Sequence, residues 1–215
     1  MSHRLRVVNL GLPKSGTTTL GKALHRSGLH TVDHRLHATL TKRPDLEGRF
    51  TGHVMYEGYY RTGDPLAEFD EFDGFGEISV LHDGNPAYPQ MDAGVIEAIA
   101  RHHPGVKFVA TWRDPVALGT SMANWNNMVA RLKRNAVPGM PVGYGGEAGE
   151  RQRWIEAHYK FLDLIFRGDP VYMRLDVADE AAQENLGTHI GRTIKWWGVA
   201  NSNRAAHQTD ETGAA

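Results

Sequence analysis

Apolar and polar positions along this chain fall into short blocks that alternate between a strand-like and a helix-like period. Leu5–Leu10 is a β-rich run that ends in the loop Gly11-Leu12-Pro13-Lys14-Ser15-Gly16, and it predicts a short strand. Thr17–Ser27 carries Leu20, Ala23 and Leu24 at helical spacing, so one face of a helix is apolar. Gly28 stands where a left-handed helix end favours a residue without a side chain. Leu29–Val32 and Ile78–Leu81 predict two further strands, the second followed by the turn Asp83-Gly84-Asn85-Pro86. Met91–His102 predicts a helix, with Val95, Ile96, Ile99 and Ala100 on one face and His103-Pro104-Gly105 as its stop. Val106–Thr111 predicts a buried strand running into Arg113-Asp114-Pro115, and a single helix follows from Val116 to about Arg134. A helix over Arg151–Phe166 and a strand over Val171–Leu175 complete the set. Residues 38–76 are polar, weakly periodic and yield no element.

Strands alternating with helices predict an α/β fold, a three-layer, doubly wound, mainly parallel sheet. Such sheets bind ligands at the carboxyl ends of strands, beside helix N-termini. No repeat or linker divides the 215 residues, which predicts one domain over 1–215. Residues 136–150 include five Gly and two Pro and predict a flexible loop, a lid over an acceptor site. The tail from about 204 to 215 is expected to fray.

Composition removes several function classes. The net charge of −1 gives no global field for nucleic acid, so no nucleic-acid partner is expected. The absence of cysteine excludes disulfides and thiolate chemistry. No run approaches the roughly 18 apolar residues of a membrane span, and the first apolar run is too short for a secretion signal. A soluble, cytoplasmic protein with no membrane span is therefore expected. Twelve histidines include His34-x2-His37, spaced for one helical face, but no third close ligand completes a set. No metal site is expected.

The chemistry concentrates after the first strand. Gly11-x4-Gly16-Thr17-Thr18 lies between a strand and a helix. Glycines let backbone amides turn inward, and the helix N-terminus adds partial positive charge, which together cradle phosphate. Nucleotide triphosphatases of this kind place lysine directly after the second glycine. Here Thr17 stands there and the lysine comes earlier, at Lys14, which counts against an ATPase or kinase.

Pro13-Lys14-Ser15-Gly16-Thr17-Thr18 resembles the 5′-phosphosulfate loop of sulfotransferases that use 3′-phosphoadenosine-5′-phosphosulfate (PAPS). A second motif is similar to that family's 3′-phosphate site: the strand end Phe108-Val109-Ala110-Thr111-Trp112-Arg113 runs into Asp114-Pro115, with Ser121 eight residues after Arg113. An arginine fork and a serine hydroxyl suit a dianionic phosphate. Val171–Val177 and Ile194–Asn203 resemble the late strand and the ending of small bacterial members.

The resemblance implies a fold of the P-loop NTPase/sulfotransferase type and transfer of a sulfuryl group from PAPS to a hydroxyl or amine of a carbohydrate or other small molecule. It implies PAP as the product and no metal. Pro13, Lys14, Ser15, Gly16, Thr17, Thr18, Arg113 and Ser121 would bind the donor, and Lys14 would stabilise the leaving phosphate. His82, at the end of Ile78–Leu81, is the first choice of general base, and Asp83 is the second because carbohydrate-directed relatives use a carboxylate. Asp33, His34 and His37 are further cleft candidates.

The chain also departs from the family pattern. Thr19 replaces the tryptophan that stacks on adenine in cytosolic members, and their C-terminal Arg-Lys-Gly loop is absent. Arg192, Lys195 and Arg204 are the available substitutes. Arg131, Lys133 and Arg134 form either a solvated helix face or an attraction for an anionic acceptor. Two other functions compete. A small-molecule phosphotransferase would need an ATP-gripping lysine and an acidic Mg²⁺ ligand. A non-catalytic nucleotide- or glycan-binding member would keep the loops without the base.

Overall fold

A computed structural model describes residues 4–200. Arg204, the last residues of the Ile194–Asn203 likeness and the tail predicted to fray lie outside the described residues. In chain order the elements are β1 (Arg6–Asn9), α1 (Thr17–Arg26), β2 (Thr31–Val32), α2 (Thr51–Thr62), β3 (Gly74–Phe75), a 3₁₀ turn (Pro89–Met91), α3 (Ala93–His102), β4 (Val106–Trp112), α4 (Pro115–Ala123), α5 (Met128–Arg134), α6 (Ala148–Ile165), β5 (Tyr172–Asp176) and α7 (Ala182–Ile190).

The strands form one five-stranded sheet in the order β2-β3-β1-β4-β5, and every pair is parallel. Strand side chains alternate between faces, so consecutive residues enter different cores. Val7, Val109 and Leu175 pack with Leu20 and Leu24 of α1 and Leu186 of α7. Val8, Phe108 and Ala110 pack on the other side with Val95 and Ile99 of α3, Leu118 of α4 and Ile155 of α6. This makes a three-layer α/β fold, as the alternation of periods predicts. The chain winds one way from β1 to β2 and the other way from β4 to β5. The crevice of the fold therefore opens at the carboxyl ends of β1 and β4, between helices that leave on opposite faces.

Three segments differ from expectation. Ile78–Leu81 is not a strand of the sheet. Val80 instead exchanges hydrogen bonds with Ala87 at 2.7 and 2.9 Å, closing an antiparallel bridge around the expected turn. The sheet strand in this region is β3, only two residues long, and a methyl group on the following Gly76 would lie 3.2 Å from Cα of Gly21 on α1. The close approach of α1 leaves this strand few side chains to show a pattern. The helix expected over 116–134 is broken by Asn124–Asn127, where Asn126 adopts a left-handed φ of 43°. Asparagine tolerates that conformation better than most residues with a side chain.

The Gly/Pro segment 136–150 packs on α5 and α6. Gly143 donates its amide to Lys133, Trp154 donates to Pro138 O at 2.7 Å, and Arg151 donates to the carbonyls of Gly145 and Gly146 at 2.9 and 2.6 Å. No residue of this segment lines the large cleft described below, so the segment does not sit as a lid on it.

Candidate functional site

Asn9, the last residue of β1, ties three strand ends together. Its amide nitrogen donates to Gly76 O at 2.7 Å, and its oxygen accepts from Gly11 N at 2.9 Å and from Thr111 N at 3.2 Å. Thr111 exchanges a 2.7 Å hydrogen bond with the buried Ser15 hydroxyl, and Tyr159 of α6 donates to Thr111 O at 2.7 Å. One buried side chain thus sets the loop after β1, Gly76 just past β3 and the end of β4 relative to one another. A methyl group on Gly11 would stand 2.6 Å from Thr111 O, so the loop tolerates no side chain there.

Above this hub opens a cleft of about 1000 Å³. Pro13, Lys14, Gly16, Thr17 and Thr18 line one wall, and Arg113 and Ser121 line another. Helix α1 starts with no side-chain cap and no acidic residue in its first turn, and Gly16 enters it at φ 114°. Its first amides are therefore available to an anion. Ser15 does not line the cleft. Its hydroxyl faces Thr111 and its amide donates to Leu12 O at 3.1 Å, so Ser15 shapes the loop from beneath. Asp114 caps α4 by accepting from Val116 N and Ala117 N, both at 3.0 Å, which fixes where Arg113 leaves the strand.

His82 lines the cleft from an exposed position, its ring 5.8 Å from that of Phe50. Asp83 does not line it. The Asp83 carboxylate is held by Arg134 at 2.8 Å and Asn135 at 3.1 Å, and these partners keep it below the usual carboxylate range. Asp33 and His34 are in the lining, whereas His37 is not. Among the basic residues weighed from sequence, Arg131 lines the cleft and donates to Leu81 O at 2.9 Å, whereas Lys133, Arg134, Arg192 and Lys195 do not line it. Among the described residues no group of three or more His, Asp or Glu side chains is arranged to hold a metal.

Two residues given no site role from sequence, Glu77 and a tryptophan of the Ile194–Asn203 likeness expected only to pack, also shape the cleft. Glu77 lies two residues past β3, after Gly76, and hydrogen-bonds Thr17 at the end of the loop after β1. Ser79 donates to its carboxylate through both amide and hydroxyl, and Thr17 also hydrogen-bonds it. Burial in the cleft root dominates over these bonds, and with Asp33 nearby it pushes the carboxyl up to about 7. A strand over Ile78–Leu81 would end at His82, whereas the sheet strand ends at Phe75 and leaves Glu77 at the cleft. The second is Trp197. Thr19 donates to Gly198 O at 3.1 Å, Gln183 donates to Ile194 O at 2.6 Å, and Trp196 lies against Lys22 and Arg26. These contacts hold the C-terminal segment against α1 with Trp197 in the cleft wall.

Lys14 has a left-handed backbone, φ 71°, and its ammonium lies 3.3 Å from the centre of the Trp125 ring. Desolvation lowers its pKa, Arg113 lowers it further, and Glu77 opposes both. The fold and this cleft define a parallel α/β protein with a strand–loop–helix whose helix N-terminus is uncapped at its switch point. No family model and no curated protein matches the chain.

Proposed function

We propose that the chain is a sulfotransferase that moves a sulfuryl group from PAPS to an acceptor hydroxyl or amine, with PAP as the second product. The observation that carries this reading is the convergence of Lys14, the open N-terminus of α1, Arg113 and Ser121 on one cleft whose root holds Glu77. The 5′-phosphosulfate sits at the α1 N-terminus, against the Gly16 and Thr17 amides and the Thr18 hydroxyl. Arg113 and Ser121 take the 3′-phosphate, and Trp197 offers the adenine a face from the C-terminal side.

In the reaction the acceptor oxygen or nitrogen bonds to sulfur while the bond from sulfur to the bridging phosphate oxygen breaks. The electron pair of that bond goes to the phosphate, where Lys14 offsets the growing charge. The acceptor's proton passes to a base. Glu77 is the better base: it lies beside the loop, and with a pKa near 7 it is basic enough to take a proton yet largely ionised just above neutrality. His82, at the exposed side, contacts the acceptor. The phosphotransferase reading is disfavoured because Thr17 stands where ATP would need a lysine.

The reading is tested by incubating the protein with PAPS and a panel of sugars, phenols and amines and measuring PAP release. Acceptor-dependent release that Lys14→Ala abolishes supports it. Phosphate transfer from ATP to the same panel, with PAPS inert, would replace it with the phosphotransferase.

A further inference from the structure

Among the described residues only two that carry a side chain have a left-handed backbone, Lys14 and Asn126. L residues avoid this conformation unless the surrounding structure holds them in it. Both positions serve one contact. Lys14 carries the ammonium that rests on the Trp125 ring, and Asn126 makes the break after that tryptophan. Hydrogen bonds from Trp125 N to Met122 O at 3.2 Å and from Met128 N to Trp125 O at 3.0 Å hold the turn. The break lets the indole face the cleft in company with Phe50, Leu81 and Met128.

The charges around Lys14 explain why it rests there. The cation that acts on it is Arg113, on another wall of the cleft. Without an anion between them the two repel, and the negative face of an indole is a favourable place for the ammonium. A phosphate or pyrophosphate at the α1 N-terminus reverses the balance, because a full negative charge attracts an ammonium more strongly than a ring quadrupole does.

We infer that Trp125 is the resting place of Lys14, and that an oxyanion seated at the N-terminus of α1 draws the lysine off the ring and so uncovers the indole face for a ring of the acceptor. The inference rests on the anion-binding role of the loop given above. It makes donor binding precede acceptor binding, and it specifies an acceptor with a flat face, such as a sugar or aromatic ring, next to the group that reacts.

The test uses inorganic pyrophosphate and adenosine 3′,5′-bisphosphate as probes on the full chain, with Trp125→Phe and Trp125→Leu variants. Subtracting the emission of Trp125→Phe from that of the unmodified protein isolates the Trp125 signal, and neutral acrylamide reports how exposed it is. Saturating pyrophosphate is expected to raise acrylamide quenching of that signal about twofold. Calorimetry is expected to show Trp125→Leu binding pyrophosphate about two- to fivefold more tightly, because the lysine no longer leaves a ring, with Trp125→Phe in between. The Phe variant keeps the affinity test open if the Leu variant fails to fold. Pyrophosphate that binds without changing the quenching, or variants that bind it more weakly, would overturn the inference. The expected responses to pyrophosphate with no binding of the bisphosphate would keep the lysine exchange and sink the PAPS reading. If neither probe binds, both fall.

Discussion

At the scale of single residues, Glu77 carries the sharpest expectations. As the proposed proton acceptor it would work ionised, so turnover in the proposed reaction should rise with pH through about 7. Glu77→Gln should remove that rise and lower kcat about 10²- to 10⁴-fold while leaving binding of PAP nearly unchanged. The same substitution should stabilise the fold. The folded pKa of Glu77 lies above its unfolded value, so its contribution to stability falls as pH rises from about 4.5 to about 7. Thermal unfolding at pH 8 should show Glu77→Gln more stable by roughly 1–3 kcal/mol, since glutamine keeps an acceptor for Ser79 without the buried charge. A variant that loses activity and stability together would mean that Glu77 is structural. Pro13, Lys14, Gly16, Thr17, Thr18, Arg113 and Ser121 were singled out through a family resemblance, and all of them line the same cleft. Glu77 and Trp197 were not legible in the sequence, because a two-residue strand has no period to read and because Trp197 reaches the cleft through contacts of its segment with α1 and α7.

At the scale of elements, the long periodic segments read well and the short or polar ones did not. Helices α1, α3 and α6 carry apolar residues three and four apart and fall within a few residues of their expected ranges. Helix α2 and strand β3 lie in the stretch that showed no period, and α7 was not anticipated. The break between α4 and α5 was written in Asn124-Trp125-Asn126-Asn127, but apolar spacing on both sides masked it. Asp114 illustrates how a local rule positions the site. It accepts from two orphan amides of α4, so Asp114→Ala should cost about 1 kcal/mol in chemical denaturation. The same change should weaken PAP binding, because Arg113 loses its fixed exit from β4. Unchanged affinity at reduced stability would separate the cap from the site.

At the scale of the whole molecule, two cores on opposite faces of the sheet hold the cleft open between them. His158 sits in the larger core, under the loop after β1. It hydrogen-bonds Leu10 O at 2.7 Å, and burial lowers its pKa from near 6.5 to about 4. Its contribution is fully present above its unfolded pKa and is lost as pH falls toward its folded one. Stability should therefore decline between pH 6.5 and 4, by as much as about 3 kcal/mol from this residue. His158→Gln should flatten that decline in thermal melts, and an unaltered slope would assign it to the carboxylates instead. The α/β class was legible in the alternation of periods alone, whereas the register that joins Asn9, Gly76 and Thr111 depends on contacts between distant parts of the chain.

The central claim is that one cleft binds an adenosine bisphosphate through two separate phosphate sites. The most direct test is isothermal titration of PAP into the unmodified protein and into Lys14→Ala and Arg113→Ala. The predicted result is micromolar binding, with ATP much weaker and each substitution costing roughly tenfold or more in affinity. Absence of binding, or equal binding of PAP and ATP, would contradict it.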